Sequence, residues 1–131
     1  MKNNEISIQV YTARKFEPFS EVLKFFSNSG ILNIELFGLE TINLDKTRDL
    51  LESNNLSCHS AHFSYESLDN YKEIINRAKK LNIKHAIVPA PPKKNDEDFK
   101  DSFNISELEW MSFGKKLSSY VSIFEDNGLT L

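Results

Sequence analysis

The 131-residue sequence contains a single cysteine, Cys58. An internal disulfide is thereby excluded, and a lone thiol fits a reducing cytoplasm. No apolar run approaches the roughly 20 residues that span a bilayer. The opening Met1-Lys2-Asn3-Asn4-Glu5 is a polar leader with no apolar signal core behind it. Positive charge is not in excess, since 16 Lys and Arg stand against 19 Asp and Glu for a net charge of -3. That balance leaves no electrostatic footprint for nucleic acid or an anionic membrane. The phosphate and redox signatures G-x-x-x-x-G-K-[ST], G-x-G-x-x-G and C-x-x-C are missing as well. What is present is an ordinary globular composition, 40% hydrophobic and 27% charged, long enough for one domain, 1–131, with a real core.

One joint recurs along the chain. Ser29-Gly30-Ile31, Asn54-Asn55-Leu56, Leu81-Asn82-Ile83 and Asn127-Gly128-Leu129 each place Gly or Asn after a helix-period segment and an apolar residue at the start of a strand-like run. Gly and Asn tolerate the left-handed conformation that ends a helix, so the chain reads as a series of strand-helix units. Ile6, Ile8 and Val10 alternate with Ser7, Gln9 and Tyr11, the period of a strand. Phe19, Val22, Leu23 and Phe26 share one face of a helix with Pro18 in its first turn. A second strand is expected from Asn33 to Phe37, followed by a helix capped by Asn43 and carrying Leu44, Leu50 and Leu51.

The third strand runs from about Ser57 to Phe63. A helix capped by Ser67 or Asp69 follows, with a stripe of Tyr71, Ile74, Ile75, Ala78 and Leu81. His85 to Val88 forms the fourth strand. The Pro-rich, charged stretch from Pro91 to Asn104 is a loop long enough for a lid, and Lys93-Lys94 in it reads as solvated. Ser106-Glu107-Leu108-Glu109 is a capping box that starts the longest helix, on which Leu108, Met111, Leu117, Tyr120, Val121 and Phe124 are apolar. Trp110 and Phe113 read as part of that helix's core. Leu129-Thr130-Leu131 starts a fifth strand.

Strands alternating with helices imply a parallel sheet, either a doubly wound domain or part of a barrel. A doubly wound sheet has helices on both faces and near-continuous apolar strands. These strands instead carry Ser7, Gln9 and Tyr11, then Glu35, then Ser60 and His62 on one face. A polar face on successive parallel strands suits a barrel interior, and the reading is α/β, half of a TIM (β/α)8 barrel: (βα)4 plus the start of strand five. Half a barrel leaves open strand edges, so association is expected, as a homodimer or through those edges.

Glu35 is the sharpest clue, a carboxylate between Ile34 and Leu36 that needs a partner or a wet pocket. It is either a substrate-hydroxyl acceptor or general base, or one half of an ion pair with a cation such as Arg14. His59 and His62 lie three apart on a strand and so point to opposite faces if the strand is regular. That places His59 under a helix and His62 in the pocket as a donor to a sugar-like substrate. Cys58 then shares His62's face, roughly 13 Å away along the strand, and reads as a small core hydrophobe. Gln9, Tyr11, Glu35 and His62 are the candidate substrate-binding residues. None forms a metal set, and none is assigned a catalytic role.

Four segments occur in order: Ile6-Ser7-Ile8-Gln9-Val10-Tyr11-Thr12, Ile34-Glu35-Leu36-Phe37-Gly38, Ser60-Ala61-His62 and Ile87-Val88-Pro89. Together they resemble the N-terminal half of the xylose-isomerase-like TIM-barrel superfamily of sugar-phosphate isomerases and epimerases, a fold that the second apurinic-endonuclease family shares. The resemblance implies a sugar or sugar-phosphate substrate and a divalent metal (Mn, Mg or Zn) held by two Glu, one Asp and one His. It also implies proton transfer through an enediolate. In the family those ligands come from strands five to eight, so the resemblance implies that this chain is inactive alone, with Glu35 and His62 at pocket-lining positions. A non-catalytic half-barrel that assembles with itself or a partner is the alternative. A nuclease reading would require a basic face, which the net charge does not offer.

Overall fold

The computed structural model describes residues 6–92 and 105–131. Within them, β1 (Ser7–Gln9), β2 (Asn33–Leu36), β3 (Ser57–His62) and β4 (His85–Ile87) alternate with α1 (Phe19–Asn28), α2 (Leu44–Ser53), α3 (Tyr71–Lys80) and α4 (Glu107–Glu125). The strands form one sheet in the order β1-β2-β3-β4, with every neighbouring pair parallel. Thr130 extends it beside β4. Its N–H donates to Lys84 O and its carbonyl accepts from Ala86 N–H, each at 2.8 Å. A strand order that follows the chain without reversal is that of a barrel, because a doubly wound sheet reverses at a switch point. The fold is half of a TIM barrel with the first residues of strand five in place.

All four joints close their helices in the same way. Gly30, Asn55, Asn82 and Gly128 have φ of 80, 52, 57 and 76°. The following N–H in each reaches back to the helix: Ile31 to Phe26 O, Leu56 to Leu51 O, Ile83 to Ala78 O and Leu129 to Phe124 O, at 2.9 to 3.1 Å. This is the Schellman pattern, in which an apolar residue just past the turn packs on one inside the last turn. The same bonds point each outgoing chain back across the sheet. The N-terminal ends vary more. Asn43 Oδ1 accepts from Lys46 N–H at 2.9 Å, and Ser106 with Glu109 forms the expected capping box.

Two start signals were misplaced. Pro18 is the N-cap of α1, one residue before its first turn. Neither Ser67 nor Asp69 caps α3; both lie in a 3-10 helix, Tyr65–Asn70, and the N-cap is Asn70 without a side-chain bond. That tighter turn carries the chain into α3, so no capping side chain is needed at its entry.

The helices cover one face of the sheet, where Ile34, Leu36, Ala61 and Ala86 are at most 2% exposed. α4 departs from its expected packing. Phe124 is fully buried, but Leu108 and Met111 are 75% and 63% exposed, and Trp110 is 51% exposed rather than core. Nineteen residues make a helix about 28 Å long, whereas strands of three to six residues span only about 10–20 Å. The N-terminal turns of α4 therefore overhang the sheet. The lid expectation for Pro91 to Asn104 lies outside the described residues from 93 onward, as do Lys93 and Lys94.

β3 contains the main correction. Ile34 pairs with Cys58 but Glu35 pairs with Ser60, leaving His59 as an extra residue. A bulge of this kind resets the pleat. Cys58 consequently faces the helices at 5% exposure, opposite to His62 rather than beside it. His59 is exposed and lies under no helix.

Candidate functional site

Register brings the polar side chains together. Gln9 lies opposite Glu35 and Glu35 opposite Ser60, so three neighbouring strands each present one polar group on the same pleat. His62 is one pleat period beyond Ser60. The face could not have been built without the bulge, which turns Ser60 and His62 away from the helices while Cys58 remains under them.

Glu35 is bound on both oxygens. Its Oε1 accepts from Gln9 Nε2 at 3.2 Å and lies 2.9 Å from His62 Nε2, and its Oε2 accepts from Ser60 Oγ at 2.7 Å. Gln9 Nε2 also sits 3.0 Å from both ring nitrogens of His62. The carboxylate fixes the Gln9 amide, since turning the amide oxygen toward Glu35 would oppose two acceptors. Glu35 selects the tautomer: His62 Nε2–H donates to it and Nδ1 accepts the second Gln9 proton, which leaves the 3.0 Å approach of Gln9 Nε2 to His62 Nε2 as a contact between two donors. The His62 and Glu35 side chains are 18% and 21% exposed, so the network is sheltered but still reachable.

The pairing of Glu35 with Arg14 does not occur. Arg14 donates to Tyr11 O at 3.0 Å and lies 4.1 Å over the Tyr11 ring. Tyr11 stands apart from the network because the chain leaves β1 as a 3-10 helix, Val10–Ala13. Its ring meets Phe37 edge-on at 5.2 Å and is 44% exposed. Gln9, Glu35 and His62 are thus brought together, and Tyr11 packs on Phe37 and Arg14 instead.

Two polar groups near this face escaped sequence reasoning. Ser60 was placed on the polar face but not among the candidates, although it makes the shortest bond to Glu35. Glu40 accepts from Ser64 N–H at 3.2 Å, and its Oε2 is buried with no hydrogen-bond partner among the described residues. No periodic pattern marks a residue in the turn after Gly38, so only the fold could bring Glu40 beside β3. Cys58 lies behind the sheet. Burial pushes its thiol up from 9.0 to about 11, only partly offset by backbone hydrogen bonds at Leu36 and Ser60.

The residues here do not fit a divalent metal. Among the described residues no group of three or more His, Cys, Asp or Glu is placed to hold one. Within the network a single carboxylate and a single imidazole already bind each other, where a catalytic site needs several ligands and an open position. A cavity of about 430 Å³ lies elsewhere, between the turn after β1 and α1, with Phe16, Pro18, Val22, Phe25 and Phe26 in its apolar lining. Among the described residues no helix is long and apolar enough to cross a membrane.

No family model matches the chain, and no curated protein matches it. Solved structures do. A sugar phosphate isomerase/epimerase from Parabacteroides distasonis superposes with TM-score 0.63 at 14% identity, over 95% of this chain and 48% of that one. The probable 3-DHS dehydratase AsbF of petrobactin synthesis from Bacillus anthracis gives TM-score 0.62 at 13% identity, over 94% and 49%. The IolI protein, solved with a binding zinc atom, gives TM-score 0.58 at 14% identity, over 94% and 48%. The chain spans about half the length of each. Identity this low carries the fold alone, and in fold the chain is half of a TIM barrel like those of the sugar phosphate isomerase/epimerase and its structural relatives.

Proposed function

We propose that residues 1–131 are one half of a cytoplasmic sugar or sugar-phosphate isomerase or epimerase, and that Gln9, Glu35, Ser60 and His62 line its substrate pocket with Tyr11 at the rim. The observation that supports this reading is the Glu35 carboxylate, held by three neighbours on the inner face of a parallel half-barrel. A fixed carboxylate with one lone-pair site left, on Oε2, is a natural acceptor for a sugar hydroxyl. His62 has its Nε2 side turned to Glu35, so it serves the pocket by orienting that carboxylate. The likeness to an isomerase/epimerase supports the substrate class, and the zinc of a second neighbour supports metal use. Manganese, magnesium or zinc would have to be held by residues outside this set, and this chain alone is expected to be inactive.

The test is a titration of the protein with sugars and sugar phosphates, followed by the ring signals of His62 in NMR. Saturable shifts that vanish in Glu35→Ala are expected. Unmoved His62 signals at tens of millimolar ligand would remove the pocket reading. Turnover by this chain with added metal would remove the claim that the metal set lies elsewhere.

A second reading, a non-catalytic half-barrel that assembles with itself or a partner, is favoured by the edge of β1, which pairs only with β2 among the described residues, and by the apolar cavity beside it, where Phe16 and Phe25 are 70% and 66% exposed. Closure of two copies as four plus four strands is opposed by Thr130, which already occupies the edge of β4. A concentration-independent monomer by sedimentation would sink self-assembly.

A further inference from the structure

We propose that Arg77, on α3, is a positioning residue for the Glu35–His62 pair, acting through the segment 38–43 that it clamps against the end of β3. The proposal rests on the reading of that pair as the site. Arg77 Nε–H donates to Leu39 O at 2.6 Å and its Nη2 donates to Ile42 O. Glu73 Oε1 is a looser neighbour, 3.5 Å from Nη1. The Arg77 side chain, 14% exposed, therefore serves backbone carbonyls more closely than it serves its ion pair. Its planar fork suits this task, because one side chain can serve two acceptors that lie three residues apart; an ammonium is a point charge on a flexible stem.

The other side of the same segment is tied to the site. Leu39, fully buried, donates its N–H to His62 O at 3.0 Å, and Glu40 Oε1 accepts from Ser64 N–H at 3.2 Å. Leu39 thus connects Arg77, through its carbonyl, to the His62 backbone, through its amide. Within the segment, Thr41 and Ile42 N–H both turn back to Gly38 O, at 2.9 and 3.1 Å. These inner bonds shape the turn but do not anchor it to the sheet. Without Arg77, two carbonyls lose their donors in a part-buried setting, the segment gains an alternative in water, and the Leu39–His62 bond loosens. The orientation of the His62 ring against Glu35 depends on that backbone.

NMR of the whole chain tests this through amide exchange and the ring signals of His62, in the unmodified protein and in R77M, R77K and E73Q. In R77M the Leu39 amide should exchange at least tenfold faster relative to the amide of Ala78 on α3, and the His62 ring signals should move. R77K should fall between, and E73Q should match the unmodified protein. Equal acceleration of Leu39 and Ala78 with His62 unmoved would mean an ordinary stability contribution and would overturn the proposal. So would an E73Q as perturbed as R77M. Should R77M not fold, R77K and the unmodified protein decide: the Arg77 Nε–H must exchange far more slowly than that of exposed Arg48. None of these readouts needs a ligand, so failure to bind sugar leaves the clamp standing, and loss of the clamp leaves the sugar reading open.

Discussion

Ala61 and His62 are neighbours in sequence and opposites in environment. Ala61 is fully buried beneath the helices, while His62 faces the open side with Gln9 and Glu35. The covered face is held by shape: Ile34, Leu36 and Ala86 are nearly inaccessible and have no polar group to satisfy. The open face is held by direction, through bonds that need particular donors and acceptors at particular registers. A shape-held face loses stability in proportion to the volume removed. A direction-held face loses its arrangement first and its stability second.

The strongest way to break this comparison is to delete His59. The bulge is what allows Cys58 and Ala61 to share the covered face while Ser60 and His62 share the other. Without the extra residue, either Ser60 and His62 turn under the helices or Cys58 turns out, because a one-residue slip exchanges the faces. Loss of cooperative unfolding and of near-UV circular dichroism is expected. A deletion variant that melts as the parent does would show that the bulge sets nothing.

Next in size is a pair of substitutions on adjacent residues. Ile34→Ala removes a buried side chain and should cost about 2–5 kcal/mol in a denaturant titration. Glu35→Ala leaves Gln9, Ser60 and His62 without their shared acceptor, but water can reach them, so about 1–2 kcal/mol is expected. A Glu35→Ala loss equal to that of Ile34→Ala would mean that the open face is as structural as the core.

The Cys58 thiol reports the covered face in a third way. With its folded value pushed up from 9.0 to about 11, its thiolate fraction near neutral pH is roughly a hundredfold below that of a free thiol. Alkylation should be slower by at least that factor and should follow unfolding. The folded value is the higher one, so the associated stability is complete below pH 9.0 and is lost as pH rises toward about 11. Comparing the parent with Cys58→Ala over that range isolates the thiol from lysines and tyrosines. Fast alkylation at neutral pH would contradict burial.

How much of this was legible depended on which residues act locally. The four joints were readable because Gly30, Asn55, Asn82 and Gly128 each do a job that few other residues do, and helix ends are local events. The barrel was readable from the alternation in β1 and β2. The bulge was not, because Cys58-His59-Ser60 alternates as well as any regular strand; the register is decided by β2, which supplies Ile34 and Glu35 as partners. Arg14 was a reasonable partner for Glu35 on charge alone. The 3-10 turn after Gln9 sends it to Tyr11 instead, and the neighbours that Glu35 has come from two different strands. Arg77 was invisible for the same reason: its acceptors are carbonyls 35 and 38 residues away, and carbonyls leave no mark in a sequence.

The smallest expected effect sharpens the comparison most. His59 and His62 are both histidines of β3, yet only the backbone of His59 is used, its carbonyl accepting from Lys84 N–H at 2.8 Å. Its ring is exposed, so His59→Ala should change stability by less than about 0.5 kcal/mol and leave the Glu35 network intact. His62→Ala removes a contact of 2.9 Å to Glu35 and frees the second Gln9 proton, so it should disturb the signals of Gln9 and Ser60 even where stability barely moves. The bulge needs a residue at position 59, not a histidine. If His59→Ala disturbs Gln9 and Ser60 as His62→Ala does, the ring of His59 reaches the open face and the two-face division of β3 is wrong.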